Sequence, residues 1–133
     1  MSFTPSSLRA WLGRRFGLRT ESPEWRFDEL LYSAISEFND VLRVGHETRP
    51  EGAAQEKLRK RAEAAAAGFE ALTPPNAEWA DVVGDYRELA AIHLRYFGEV
   101  IPESAQREFA AINQRADLRR EELRKAYGRH RGS

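Results

Sequence analysis

Residues 73–98 of this 133-residue chain read TPPNAEWADVVGDYRELAAIHLRYFG, and this stretch decides the fold. Apolar side chains recur here at spacings of three and four, which places them on one face of a helix. Thr73 can cap this helix, Pro74 suits its first turn, and Gly98 can adopt the left-handed conformation that ends it. We expect this helix to be the most buried element. Its stripe comprises Trp79, Val82, Val83, Tyr86, Leu89, Ala90, His93 and Phe97.

Three further stretches of the chain show the same helical periodicity. Ser22 and Pro23 form a strong helix start, because a serine cap is followed by a proline in the first turn. Gly45 can end that helix. Thr48 and Glu51 have the spacing of a capping box and predict the start of the next helix, whose apolar face is mostly alanine. In chain order the predicted bounds are 22–45, 48–72 and 102–128.

No stretch of useful length alternates with a period of two, so the sequence predicts no strand. The connections between the four predicted helices are short, which favours antiparallel neighbours. The predicted fold is therefore all-α, an antiparallel up-down-up-down four-helix bundle over residues 21–128. A short basic amphipathic helix and its linker are predicted at residues 1–20, and a flexible basic tail at residues 129–133.

Composition limits the class of protein further. The chain has 41% hydrophobic and 32% charged residues, which is typical of a globular domain and excludes a disordered chain. There is no cysteine, which excludes disulfides and thiolate chemistry and favours the cytoplasm. The first residues lack the apolar core of a secretory signal, so we expect none.

The net charge of zero hides an uneven distribution of charge. Bases concentrate at both termini, which meet at one end of the predicted bundle. They can form a surface for phosphates or an acidic partner there. We favour the alternative, in which they pair internally with acids such as Asp28 and Asp81. The helical bases concerned are Arg119, Arg120, Arg124 and Lys125.

The N-terminal segment is the leading candidate for binding a partner. Its apolar residues fall on one helical face with arginines beside them, which is typical of a helix that docks on a protein or a membrane surface. The alternative is a lid that folds over the end of the bundle. The predicted partner-binding residues are Leu8, Trp11, Leu12, Arg14, Arg15 and Phe16.

His93 and Tyr86 lie on one face of the helix at 73–98 and form a candidate ligand site. We favour a structural histidine that bonds to a neighbour, because the sequence lacks the Glu-x-x-His pairs of metal-binding bundles. No metal and no cofactor are predicted. Two pairs of carboxylates at spacings of three could face one another, but we expect them to be solvated charges. These pairs are Glu37 with Asp40 and Asp85 with Glu88.

The chain carries no phosphate-binding loop, no dinucleotide fingerprint and no nucleophile elbow, so we predict no catalytic residue. The leading prediction of function is a non-enzymatic interaction module or accessory subunit that binds a protein partner. The first alternative is a bundle that binds a small ligand or metal. The second is a peripheral binder of membranes or nucleic acid through the basic termini. The sequence is also compatible with a homo-oligomer.

Overall fold

The computed structural model describes residues 22–126 in full, together with the backbone of residues 127–132. It contains four helices and, within this described part, no strand, which confirms the predicted all-α class. The predicted N-terminal helix at 1–20 lies outside the described residues. The helices are α1 (Pro23–Thr48), α2 (Gly52–Glu70), α3 (Ala77–Arg95) and α4 (Glu103–Gly132).

The start of α1 matches the prediction, whereas its end does not. The Ser22 hydroxyl accepts a hydrogen bond from the backbone N–H of Trp25 at 3.1 Å, and a proline occupies the first turn. The helix continues past Gly45 and ends at Arg49, which adopts the left-handed conformation with a φ of 45°. Gly45 serves packing instead, because a Cβ atom there would lie 3.1 Å from the Leu58 side chain of α2.

The predicted capping box at the start of α2 is wrong. Thr48 belongs to the last turn of α1, where its hydroxyl donates a hydrogen bond of 2.7 Å to the carbonyl of Val44. Glu51 is the residue that precedes α2, and its side chain makes no capping bond. A threonine that bonds to the carbonyl four residues earlier is satisfied within its own helix, so it cannot cap the next one.

The cap of α3 lies three residues beyond the predicted cap, Thr73. Asn76 caps the helix by accepting a hydrogen bond of 3.0 Å from the N–H of Trp79. The two prolines at 74–75 explain the shift, since a residue before proline is disfavoured in the helical conformation. Gly98 does adopt the predicted left-handed conformation, with a φ of 78°, but it lies in the connection after α3.

The backbone of α4 runs to Gly132, so Gly128 does not end this helix. Side chains from residue 127 onward lie outside the described part, and the flexible tail at 129–133 stays a prediction.

The core confirms six of the eight residues of the predicted stripe of α3, whereas His93 and Phe97 are only half-buried. Trp79 is only 1% exposed, and this helix buries more side chains than the others in the described part. Phe97 is half-buried, because it follows the end of α3. Extensive contacts join α3 to α4, α1 to α2 and α2 to α3, whereas α1 and α4 share only a thin contact. The buried stripe residues are Trp79, Val82, Val83, Tyr86, Leu89 and Ala90.

Candidate functional site

An inner cavity of about 260 Å³ lies where α1 and α4 share their thin contact. All four helices contribute to its wall, and aromatic rings form much of that wall. Two of its residues, Tyr86 and His93, are the pair that the sequence proposed as a ligand site. The lining residues are Ile35, Phe38, Asn39, Phe69, Tyr86, Leu89, Ala90, His93, Phe109, Asn113 and Asp117.

Tyr86 is held in place on two sides. Its hydroxyl donates a hydrogen bond of 2.7 Å to the Asp117 carboxylate of α4, and its ring stacks on Phe69 of α2 with 6.3 Å between centroids. Burial, followed by the hydrogen bond to Asp117, raises the pKa of the Tyr86 hydroxyl far above its usual value. The group therefore stays protonated and acts as a hydrogen-bond donor beside the cavity.

His93 is half-buried against two aromatic rings. Its ring lies edge-on to Phe109, with 4.6 Å between centroids, and 6.1 Å from Phe38. Burial lowers the pKa of His93 from its usual 6.5, so the imidazole is neutral at pH 7. Within the described residues no side chain or backbone group forms a hydrogen bond with it, contrary to the predicted neighbour bond.

A second space, the end groove, lies where the α1–α2 and α3–α4 connections come together. Its volume is about 700 Å³, and His93 lines it as well as the inner cavity. Val100, at its edge, is 90% exposed. The groove is lined by Leu42, Gly45, His46, Arg49, Pro50, Glu51, Gln55, Leu58, His93, Tyr96, Phe97, Gly98, Glu99, Val100 and Ile101.

The α3–α4 connection is fixed against α2 by two side chains. Arg59 donates a hydrogen bond of 3.3 Å to the carbonyl of Phe97, and its guanidinium lies 5.4 Å from the centroid of that ring. Gln55 packs against Gly98 so closely that a Cβ atom there would overlap it. Only glycine combines the left-handed backbone with this close approach. The wall of the end groove is therefore preformed.

The predicted internal pairing of the basic residues is confirmed for Arg120 and Arg124. Arg120 donates two hydrogen bonds, of 2.7 and 3.4 Å, to the buried carboxylate of Asp28, 92 residues earlier in the chain. Arg124 lies 3.4 Å from the same carboxylate. This cluster joins the start of α1 to α4.

The other two predicted contact residues also have acidic neighbours. Arg119 pairs with Asp81 of α3 at 3.3 Å, and Lys125 lies 3.4 Å from Glu121 of its own helix. Both pairs are exposed, and such pairs contribute little to stability. Their predicted role as contacts for phosphates or an acidic partner stays a prediction.

Asp85 is not the solvated carboxylate that the sequence predicted. It is buried and accepts two hydrogen bonds, of 2.6 and 3.1 Å, from Arg115 of α4. Glu88 is exposed, as predicted, and lies 3.9 Å from the same arginine. Glu37 and Asp40 are exposed too, so neither predicted pair forms a site in which two carboxylates share a proton.

Sequence reasoning missed three polar residues of the inner cavity: Asn39, Asn113 and Asp117. They lie beside the apolar stripes of α1 and α4. Polar residues in this position on two neighbouring helices were the sequence signal that could have indicated a polar cavity wall. No group of three or more acidic or histidine side chains within the described residues is placed to hold a metal ion. The predicted residues at 8–16 lie outside the described part.

A membrane-spanning helix is absent from the described residues, since none of the helices there is both long enough and apolar enough. Comparison of the chain with protein-family models, curated proteins and solved structures found no match.

Proposed function

We propose that this protein is a non-enzymatic interaction module, built as an antiparallel up-down-up-down bundle, that holds a segment of a protein partner in its end groove. The observation that carries the proposal is the groove itself, a preformed concave space of about 700 Å³. Binding sites are typically concave, largely preformed spaces of about 300–1,000 Å³ with a few polar groups among apolar ones. The absence of cysteine supports the cytoplasm as its location.

Two aromatic contacts support the parallel direction of α1 and α3 in this bundle. Near the starts of these helices, the rings of Phe27 and Trp79 lie 5.6 Å apart. Further along both helices, Phe38 lies 6.1 Å from His93. Contacts that advance together along two helices are those expected of alternate members of an up-down bundle.

The contacts of α4 support the opposite direction for that helix. Arg119 pairs with Asp81 near the start of α3, whereas the earlier residue Phe109 contacts His93 near its end. Contacts that run in opposite orders indicate antiparallel neighbours. The end groove then lies at the far end of the bundle from the cluster formed by Asp28, Arg120 and Arg124.

A groove of this kind suits an extended or helical peptide segment that places one or two apolar side chains between the connections. Val100 offers an exposed apolar contact at the rim, while Arg49 and Glu99 provide charges of both signs. Such a polar rim around an apolar contact is typical of protein interfaces. The predicted docking residues at 8–16 precede α1, whose start lies at the opposite end from the groove, so they would form a second, separate contact with the partner.

Site-specific photocrosslinking in the producing cell tests the proposal. A photoreactive amino acid at Val100 should give one dominant adduct with a partner protein, identified by mass spectrometry. The matched control carries the same amino acid at Leu118, which is 54% exposed on α4 and does not line the groove.

The adduct at Val100 should also be lost when Gly45→Trp fills the groove, provided that the variant keeps its helical content and melting temperature. Because Gly45 already approaches Leu58 closely, Ile101→Asp serves as a second groove variant. No dominant adduct at Val100, or the same adducts from Leu118, would contradict the groove as a partner site.

Binding of a small ligand in the inner cavity is the second candidate function. One observation favours it: the structure brings Tyr86 and His93, predicted together as a ligand site, to the wall of one cavity. Peripheral binding to a membrane or nucleic acid has less support. Of its predicted basic contacts, Arg120 and Arg124 are engaged with the buried Asp28.

A further inference from the structure

We propose that the inner cavity binds a small organic cation, a quaternary or protonated alkylammonium group that lies against the aromatic rings beside the Asp117 carboxylate. This inference rests on the second candidate function and names the class of its ligand.

Each of the four helices contributes one aromatic ring to the wall of the cavity. These rings belong to Phe38, Phe69, Tyr86 and Phe109, and the imidazole of His93 adds a fifth. They form a connected group, since Phe38 contacts Phe69 at 6.2 Å between centroids and Phe69 stacks on Tyr86. Aromatic rings attract a cation to their faces, and a cavity walled by several of them is a known way to recognise alkylammonium groups.

The charge of the wall also favours a cation. Among the lining residues that the structure describes there is no lysine or arginine, and Asp117 is the single carboxylate. His93 is neutral at pH 7 and does not repel a positive charge. Arg120, one turn after Asp117 on α4, does not line the cavity: it donates to Asp28 and lies 5.6 Å from the centroid of the Tyr32 ring. Its charge still acts on the Tyr86 hydroxyl, so Asp117 supplies the attraction for a cation against this background.

The size and access of the cavity fit a small ligand. A volume of about 260 Å³ lies just below the usual range for drug-sized ligands, so the cavity suits a small molecule or one head group. Asn39 of α1 and Asp117 of α4 are exposed lining residues, which places the mouth of the cavity between these two helices. A cation that enters there meets the Asp117 carboxylate and the half-buried rings of Phe109 and His93. Phe38, Phe69 and Tyr86, which are only 3–6% exposed, pack behind them as the floor of the cavity.

A pair of isosteric probes tests the class of ligand. Choline carries a trimethylammonium group, and 3,3-dimethylbutan-1-ol has the same shape with a carbon atom in place of the charged nitrogen. We expect saturable binding of choline, followed by the NMR shifts of the His93 and Phe109 ring protons. The neutral isostere should bind at least about tenfold more weakly, since it lacks the attraction of the charge to rings and carboxylate.

Two variants place the binding in the inner cavity. Asp117→Asn removes the charge but keeps an oxygen that can accept the Tyr86 hydrogen bond, and Phe109→Leu keeps apolar volume but removes a ring. Each should weaken choline binding by about threefold or more. Asp81→Asn is the matched control outside the cavity and should leave choline binding unchanged.

Three outcomes would overturn the proposal. Equal binding of both isosteres would show an apolar cavity without preference for a cation, and the small-ligand candidate would stand. Binding of neither probe would remove the cation site and the support for that candidate together. Choline binding that survives both cavity variants, with their melting temperatures close to that of the wild type, would place the cation elsewhere.

Discussion

Two regions of this helical protein, a closed end and a groove end, are built differently. At the closed end, defined by Phe27, Asp28, Trp79, Arg120 and Arg124, rings pack edge to face and a buried carboxylate is shared by two guanidinium groups. At the other end, the two connections enclose the end groove, and the aromatic residues that follow α3 are half-buried. The closed end is organised for stability, whereas the groove end leaves space for an occupant.

Trp79→Ala should show the largest effect of this difference. The side chain is 1% exposed and contacts Phe27, so its removal should cost about 3–5 kcal/mol of the free energy of unfolding. Phe97→Ala, at the half-buried groove end, should cost about half as much. Chemical denaturation of both variants measures the difference, and equal losses would show that the two ends are equally well packed.

Asp28→Asn should have the next largest effect. It leaves Arg120 and Arg124 without their carboxylate at a site where Asp28 is buried, and the expected loss is about 2–3 kcal/mol. The control is Asp81→Asn, which breaks an exposed pair and should cost less than about 1 kcal/mol. Similar losses from both variants would mean that burial adds nothing to the Asp28 cluster.

His93 gives the smallest effect, a dependence of stability on pH. Burial lowers the pKa of the folded state, so the unfolded chain binds more protons once the pH falls below about 6.5. The free energy of unfolding should therefore fall as the pH drops through 6.5. Well above that pH the imidazole is neutral in both states, so His93 adds nothing to the dependence of stability on pH. The comparison is unfolding of the wild type and His93→Gln between pH 7.5 and 5.5.

In that comparison the His93→Gln variant should lose part of the pH dependence. A wild-type slope that His93→Gln leaves intact would show that this imidazole is solvated rather than desolvated.

Local rules predicted the helices but not all of their ends. Ser22 acts as predicted because a cap depends on its own first turn. Gly45 does not end α1 and Thr48 does not begin α2, because α1 continues through both residues to Thr48. Gly45 instead allows α2 to approach α1 closely at Leu58. Thr73 failed as a cap because Pro75 disfavours the helical conformation at Pro74, so the helix begins after both prolines.

The candidate site was predictable only in part. Periodicity placed Tyr86 and His93 on one face of one helix, which is a short-range property. That Asp117 lines the mouth of the same cavity depends on a contact between α3 and α4, and the burial of Asp28 depends on a partner 92 residues away. Such long-range pairs leave no periodic signal, so acids that look solvated in the sequence are buried in the fold.

His93 is a shared wall between the inner cavity and the end groove, and this has a thermodynamic consequence. An occupant of one space that changes the position of this ring alters the affinity of the other. Linkage requires the effect to be reciprocal, so the partner segment would change cation affinity by the same factor as the cation changes partner affinity. One side chain would then make a small helical protein responsive to two different molecules.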